Sequence, residues 1–300
     1  MDNNQIKTAR RIFLDIIKNI INSSSKTVLD GEIDGAFQKI ICKMAYVHDL
    51  AHLLSSESVK KDVLTNPTEK AFVNKQQIMS IYRYERLNFD YQEIKETFIK
   101  EKIPFVPLKG LIIRSLYPEP WMRTSCDIDV LVKKEDLNRA VEALKKNNKF
   151  VQYGKVNYHD ISLFSPSNVH LELHFSIKEN IECIDKLLDK VWDYCENTAE
   201  NPFEFKETNE FFVFHTLAHM LYHFKAGGCG IRPFMDLYLL HKNFELDLEK
   251  LESMIKECGI TKFYENVKLL SEVWFEDKEH TDLTLSMEDY VFSGGVYGSK

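Results

Sequence analysis

Apolar residues recur at helical spacing through the first third of the chain. Ile12, Phe13, Ile16, Ile17, Ile20 and Ile21 form one stripe that stops at Ser23-Ser24-Ser25, which predicts a first amphipathic helix. The same spacing predicts a second helix near 34–54 and a long third one over about 70–102, rich in aromatic and charged residues and leading into an apolar run at 104–108. There the period changes. Val106 in that run is β-branched, Lys109-Gly110 interrupts it, and 111–117 returns to helical spacing until Pro118 and Pro120, so the segment reads as strand, tight turn, helix. Asp127-Ile128-Asp129-Val130-Leu131-Val132 alternates with period two, and a helix at 136–147 follows with Leu137, Ala140, Val141 and Leu144 on one side. Strands near 150–153, 160–164 and 169–175 extend the unit. After Ile184 the helical period returns, with a loop at 197–202 and a break at Gly227-Gly228-Cys229-Gly230. The expected organisation is a helical N-terminal region at 1–102 packing on the core, a mixed α+β core at 103–180 and a helical C-terminal region at 181–300.

The chemistry concentrates in the mixed part. Asp127 and Asp129 are two apart on a strand, so both carboxylates point the same way. Two such charges on one face repel unless a cation sits between them, and an all-oxygen pair suits Mg²⁺ or Mn²⁺. Upstream, Gly110 lets backbone approach a ligand closely, the start of the new helix favours phosphate, and Lys109 adds a mobile positive charge. Arg123, on the loop after the two prolines, is the candidate to close over a triphosphate in a forked hydrogen bond. Val169-His170-Leu171-Glu172-Leu173-His174-Phe175 alternates strictly, with His170, Glu172 and His174 on one face and apolar residues on the other.

This set resembles the nucleotidyltransferase superfamily that includes DNA polymerase β, and within it a bacterial branch with Lys-Gly at the turn followed by Asp-x-Asp. The resemblance runs in register from about Gln76 to Leu240 and more loosely to the end, where Gly294-Gly295 also fits. Most members carry Gly-Ser at the turn. Lys109-Gly110 stands there in this chain, so a serine hydroxyl contact to phosphate is missing and the Lys109 ammonium is its substitute. The resemblance implies a nucleotidyltransferase-type mixed sheet flanked by helices, with Glu172 as the third acid beside Asp127 and Asp129. It further implies that these three acids bind two Mg²⁺ (or Mn²⁺) and carry catalysis, that Lys109, Gly110 and Arg123 bind nucleotide, and that the C-terminal helices cover the cleft. The implied reaction moves an NMP group from an NTP to an acceptor with release of pyrophosphate. The acceptor stays open among a small molecule, a protein and a tRNA.

Two other classes compete. One is a catalytically inactive nucleotide-binding module. The other is a His/Glu metal hydrolase in which His170, Glu172 and His174 hold zinc or iron. His215, His219 and His223 recur every four residues on an otherwise apolar helix, lack an acidic partner for a metal trio, and read as packing residues. Arg114 reads as a salt-bridged helix residue, and Arg232 with Asp236 as a local ion pair.

Composition bears on partners more than on chemistry. The chain has 300 residues, 44% of them hydrophobic, enough for a substantial core. No run of about eighteen apolar residues and no signal-like start occurs, so the expectation is a cytoplasmic protein without a membrane partner. The six cysteines lack a Cys-x-x-Cys pair, which disfavours structural zinc and a disulfide scaffold. A net charge of −7 speaks against broad nonspecific DNA binding, and Lys133-Lys134 and Lys145-Lys146 read as solvated faces. The glycine-rich finish after Val291 lacks a closing element, which suggests a piece of a longer protein.

Overall fold

The alternating segments pair into one mixed sheet. The computed structural model describes residues 3–24, 35–56, 59 and 63–295. The five strands are β1 (Phe105–Pro107), β2 (Asp127–Val132), β3 (Val151–Gln152), β4 (Asp160–Phe164) and β5 (His170–His174), in the order β1-β2-β5-β4-β3. The β2–β5 pair is parallel and the other three pairs are antiparallel. Two short strands form a separate antiparallel ribbon, β6 (Cys195–Asn197) with β7 (Phe205–Glu207). It flanks the loop expected at 197–202, in a part whose pattern reads as helical, because three-residue strands have too few positions to show a period.

Eleven α-helices surround the sheet among the described residues: α1 (Asn3–Ile21), α2 (Gly35–Val47), α3 (Pro67–Lys100), α4 (Lys109–Ile113), α5 (Leu137–Asn148), α6 (Glu182–Leu188), α7 (Asn209–Ala226), α8 (Arg232–Asn243), α9 (Leu248–Glu257), α10 (Thr261–Glu276) and α11 (Asp282–Gly294). The expected helix at 34–54 is interrupted. It ends at Val47, Asp49 turns the chain with φ of 55°, and a 3₁₀ turn, Ala51–Ser55, follows. Ser25, Asp34 and the last five residues, on which other expectations fell, lie outside the described residues. Val291 itself belongs to α11. The start of α3 is fixed locally, since the Asn66 side chain accepts from the Thr68 amide and Pro67 supplies a preset φ.

Strand alternation explains the layering. Ile128, Val130, Leu171, Leu173, Ile161 and Leu163 face one way and pack against Leu87, Tyr91, Ile94 and Phe98 of α3 and Leu137, Ala140, Val141 and Leu144 of α5. Each of these large side chains contributes about 1.5–3 kcal/mol by leaving water, so a charge at Leu171, buried in the middle strand, would disrupt this layer. A second core joins the two ends of the chain, with Ile12, Phe13, Ile16 and Ile17 of α1 in one cluster with Phe234, Leu270 and Trp274. Arg10 of α1 also pairs with Asp289 of α11. The sheet face not covered by α3 and α5 carries the polar residues.

Candidate active site

Parallel pairing of β2 with β5 brings the expected acids together. Asp129 stands opposite Glu172, and Asp127 opposite His170. Because alternation is shared across the pair, Asp127, Asp129, His170, Glu172 and His174 emerge on one face. Ligand atoms of Asp127, His170 and Glu172 lie within 4.8 Å of one another, and so do those of Asp129, Glu172 and His174. Glu172 belongs to both sets. His170 and His174 flank Glu172 from opposite sides, at 3.9 Å from Oε1 and 3.5 Å from Oε2, and fall in different sets. The arrangement expected for a His170/Glu172/His174 hydrolase is therefore not formed.

The electrostatics are those of a crowded acidic wall. Burial, then the Asp129 and Glu172 charges, push the Asp127 carboxyl up to about 7. Burial also pushes Asp129 up, but the His174 hydrogen bond and charge outweigh it and hold this acid down at about 2. His174 Nε2 lies 3.2 Å from Asp129 Oδ1 and 3.5 Å from Glu172 Oε2. Burial pushes its imidazole down, yet hydrogen bonds to the two carboxylates win and raise it to about 9. One imidazolium thus compensates part of a three-carboxylate cluster, and Asp127 is the group left to protonate. That residual demand for positive charge is what a divalent cation would meet, and the donor set fits one. His170 is not a bare surface residue; its Nε2 lies 3.1 Å from Ser162 Oγ and its ring stacks on Phe164.

Opposite the acids stands a cationic wall. Lys109 is the first residue of α4, so Lys109-Gly110 opens the helix instead of preceding it. With five residues, α4 offers little dipole, and the burden of attracting phosphate shifts from backbone to the Lys109 side chain. Lys109 Nζ lies 3.4 Å from Glu179 Oε1. A Cβ built on Gly110 would stand 3.0 Å from Arg123 Nη1, so a larger residue at the turn would press on the arginine.

Arg123 departs from its expected role over phosphate. Its fork is closed on Asp236, with Nε donating to Oδ1 at 3.0 Å and Nη2 to Oδ2 at 2.8 Å, while the Tyr117 hydroxyl donates to the same Oδ1 at 2.7 Å. The pair is buried, with side chains 10% and 5% exposed. Arg232 therefore does not pair with Asp236. It donates to the Thr124 carbonyl at 2.9 Å and lies 3.7 Å from Asp49. Arg114 is not in a salt bridge among the described residues. Its Nε donates to the Gly110 carbonyl, its Nη2 to Ser125 Oγ, and its guanidinium lies over Tyr84. Burial, then Arg123, push it down to about 10, which leaves it charged at neutral pH. Two buried guanidinium groups thus back the turn that carries Lys109. No local sequence signal marks Arg114 or Glu179 as parts of this site, whereas the strand face shared with Glu172 points to His174 as a residue that orients a catalytic carboxylate or meets the nucleotide.

His215 is the buried residue that was expected, hydrogen-bonded to Glu207 at 2.9 Å. His219 and His223 are not plain packing residues, since both reach toward the cationic wall. The six cysteines are free. No helix among the described residues is long and apolar enough to cross a membrane.

Three acids on adjacent parallel strands of a mixed sheet thus stand near a lysine at a glycine turn. A family described as "Uncharacterised nucleotidyltransferase" matches residues 38–276, and the chain belongs to that family. No curated protein matches the chain. Among solved structures it is similar to the antibiotic-resistance factor ANT(2'')-Ia, studied in solution for substrate-regulated conformation dynamics, at 13% identity and a TM-score of 0.42, over 64% of this chain and 97% of that one. That likeness is too distant to bear on chemistry.

Proposed function

We propose that the protein is a metal-dependent nucleotidyltransferase that moves an NMP group from an NTP to an acceptor and releases pyrophosphate. The observation that carries this reading is the Asp127–Asp129–Glu172 face, short of positive charge and within reach of the Lys109 charge. Asp127, Asp129 and Glu172 would hold Mg²⁺ or Mn²⁺, which would supply Lewis-acid stabilisation of the reacting phosphate and of the leaving pyrophosphate. His174 orients Asp129 and Glu172 by hydrogen-bonding both. Glu172, on the neighbouring strand, helps take the acceptor's proton in this reading. Lys109 neutralises triphosphate charge. Arg114 and Arg123 reinforce the field from behind the turn, with Arg123 acting through its fixed charge and not by closing over the nucleotide. The C-terminal helices cover the cleft and choose the acceptor.

The experiment is incubation with Mg²⁺ and each of the four NTPs labelled at the α-phosphate, with cell extract as the acceptor source. Label transferred by wild type and not by Asp127→Ala/Asp129→Ala supports the proposal. One observation favours a second reading: both cations expected on phosphate are engaged by carboxylates, Lys109 by Glu179 and Arg123 by Asp236. Magnesium-dependent NTP binding without transfer of label would establish a non-catalytic nucleotide-binding module.

A further inference from the structure

Glu179 is an acid with no place in the reaction outlined above. It follows β5 and is 8% exposed. Two donors from different elements converge on one of its oxygens: Lys109 Nζ of α4 at 3.4 Å and His219 Nδ1 of α7 at 2.7 Å, both to Oε1. His219 is itself held at its other nitrogen, 3.0 Å from His223 Nε2 one turn along the helix. A carboxylate accepts only, so His219 carries its proton on Nδ1. Burial, then the Lys109 charge, push the His219 imidazole down to about 4, which makes it neutral, and His223 Nε2–H donates to its free Nε2. His223 thereby fixes the His219 tautomer in the donating direction.

The result is a preformed pair of donors aimed at one anionic oxygen. The Lys109 charge also bears on Asp129, so the position these donors define lies beside the acidic wall. We infer that the Glu179 carboxylate occupies a phosphate-oxygen subsite: a nucleotide phosphate displaces it and takes the hydrogen bonds of both Lys109 Nζ and His219 Nδ1–H. His219 is then a nucleotide-binding residue, His223 a positioning residue acting through it, and Glu179 a competitor that the phosphate must expel. The inference rests on the nucleotide-binding reading of Lys109 and adds which residue of the C-terminal helices reaches the nucleotide. A phosphate oxygen fits this position because it replaces one anionic acceptor by another and leaves both donors satisfied.

The test is calorimetric binding, in Mg²⁺, of the NTP with highest affinity among the four, and of its di- and monophosphate, to the full chain. Glu179→Gln is expected to bind the triphosphate about tenfold more tightly, since the competitor loses its charge, and the monophosphate unchanged. His219→Ala is expected to weaken triphosphate binding about fivefold, and His223→Ala by less, again without effect on the monophosphate. Should Glu179→Gln fold poorly by its thermal transition, Glu179→Asp, which withdraws the carboxylate by one methylene, serves in its place and is expected to tighten binding also. Weaker or unchanged triphosphate binding in the Glu179 variant, or equal effects on mono- and triphosphate, overturns the inference. Lys109→Ala separates the two levels: if it leaves triphosphate binding intact, the nucleotide-binding reading of Lys109 fails, whereas a loss with Lys109→Ala but none with His219→Ala defeats the subsite alone.

Discussion

The two walls of the site are balanced in different ways. On the sheet wall, three carboxylates share one imidazolium, and burial with the Asp129 and Glu172 charges drives Asp127 up to about 7, more than the Arg232 and Arg123 charges offset. On the cationic wall every group has a partner inside the protein: Arg123 on Asp236, Arg114 on Gly110 and Ser125, Lys109 on Glu179. The acidic wall is therefore incomplete without a ligand, and the cationic wall is complete without one. Within the cationic wall the partners differ in kind. Arg123 is forked onto a buried acid, a geometry costly to break, whereas Lys109 has a single long contact at 3.4 Å and is free to exchange it.

That contrast can be broken at several points. The largest expected effect is on the acidic wall, where Asp129→Ala should lower transfer of α-label by about 10³-fold or more; a variant retaining more than a tenth of wild-type transfer would remove the acid from the chemistry. Next comes Arg123→Ala, which leaves Asp236 buried and unpaired and should destabilise the fold by about 3–5 kcal/mol in denaturant unfolding. The double change Arg123→Met/Asp236→Leu should recover most of that loss, which it cannot do if Arg123 serves mainly to bind ligand. Lys109→Ala should do the reverse, changing stability by less than about 1 kcal/mol while weakening Mg·NTP binding about tenfold. Equal stability losses for Lys109→Ala and Arg123→Ala would erase the distinction drawn between them.

A smaller effect lies away from both walls. His48 is buried against Phe292, and burial, then the Arg10 charge, push its imidazole down to about 4. Its folded value lies below the ordinary 6.5, so the stability from the neutral ring is whole above pH 6.5 and is lost as pH falls from there toward 4. His48→Phe should flatten that part of the stability profile by about 1–3 kcal/mol. His52 and His241 shift the same way and keep a remaining slope.

What could be read in advance follows the range of the interactions involved. Period-two alternation in 127–132 and 169–175 placed Asp127, Asp129 and Glu172 on faces of strands, since strand geometry is local. The register that sets Asp129 opposite Glu172 is a property of the sheet, and the resemblance, not the spacing, anticipated it. The Arg123–Asp236 pair left no local signal because the partner is 113 residues away on α8. The same holds for His219, whose partner Glu179 lies 40 residues back on a loop after β5. The break after Val47 escaped notice because apolar spacing continues through Leu50, Leu53 and Leu54, all buried, although Asp49 reverses the backbone between them. Long-range partners and single left-handed residues leave little trace in hydrophobic period.

The central claim is that the acidic wall is a divalent-cation site completed by nucleotide. It is tested most directly by electron paramagnetic resonance of Mn²⁺ titrated into the full chain with a non-hydrolysable NTP, for wild type and for Asp127→Asn/Asp129→Asn. The account predicts stoichiometric, nucleotide-dependent loss of the free Mn²⁺ signal with wild type and none with the double variant. Identical titrations for the two proteins would contradict it.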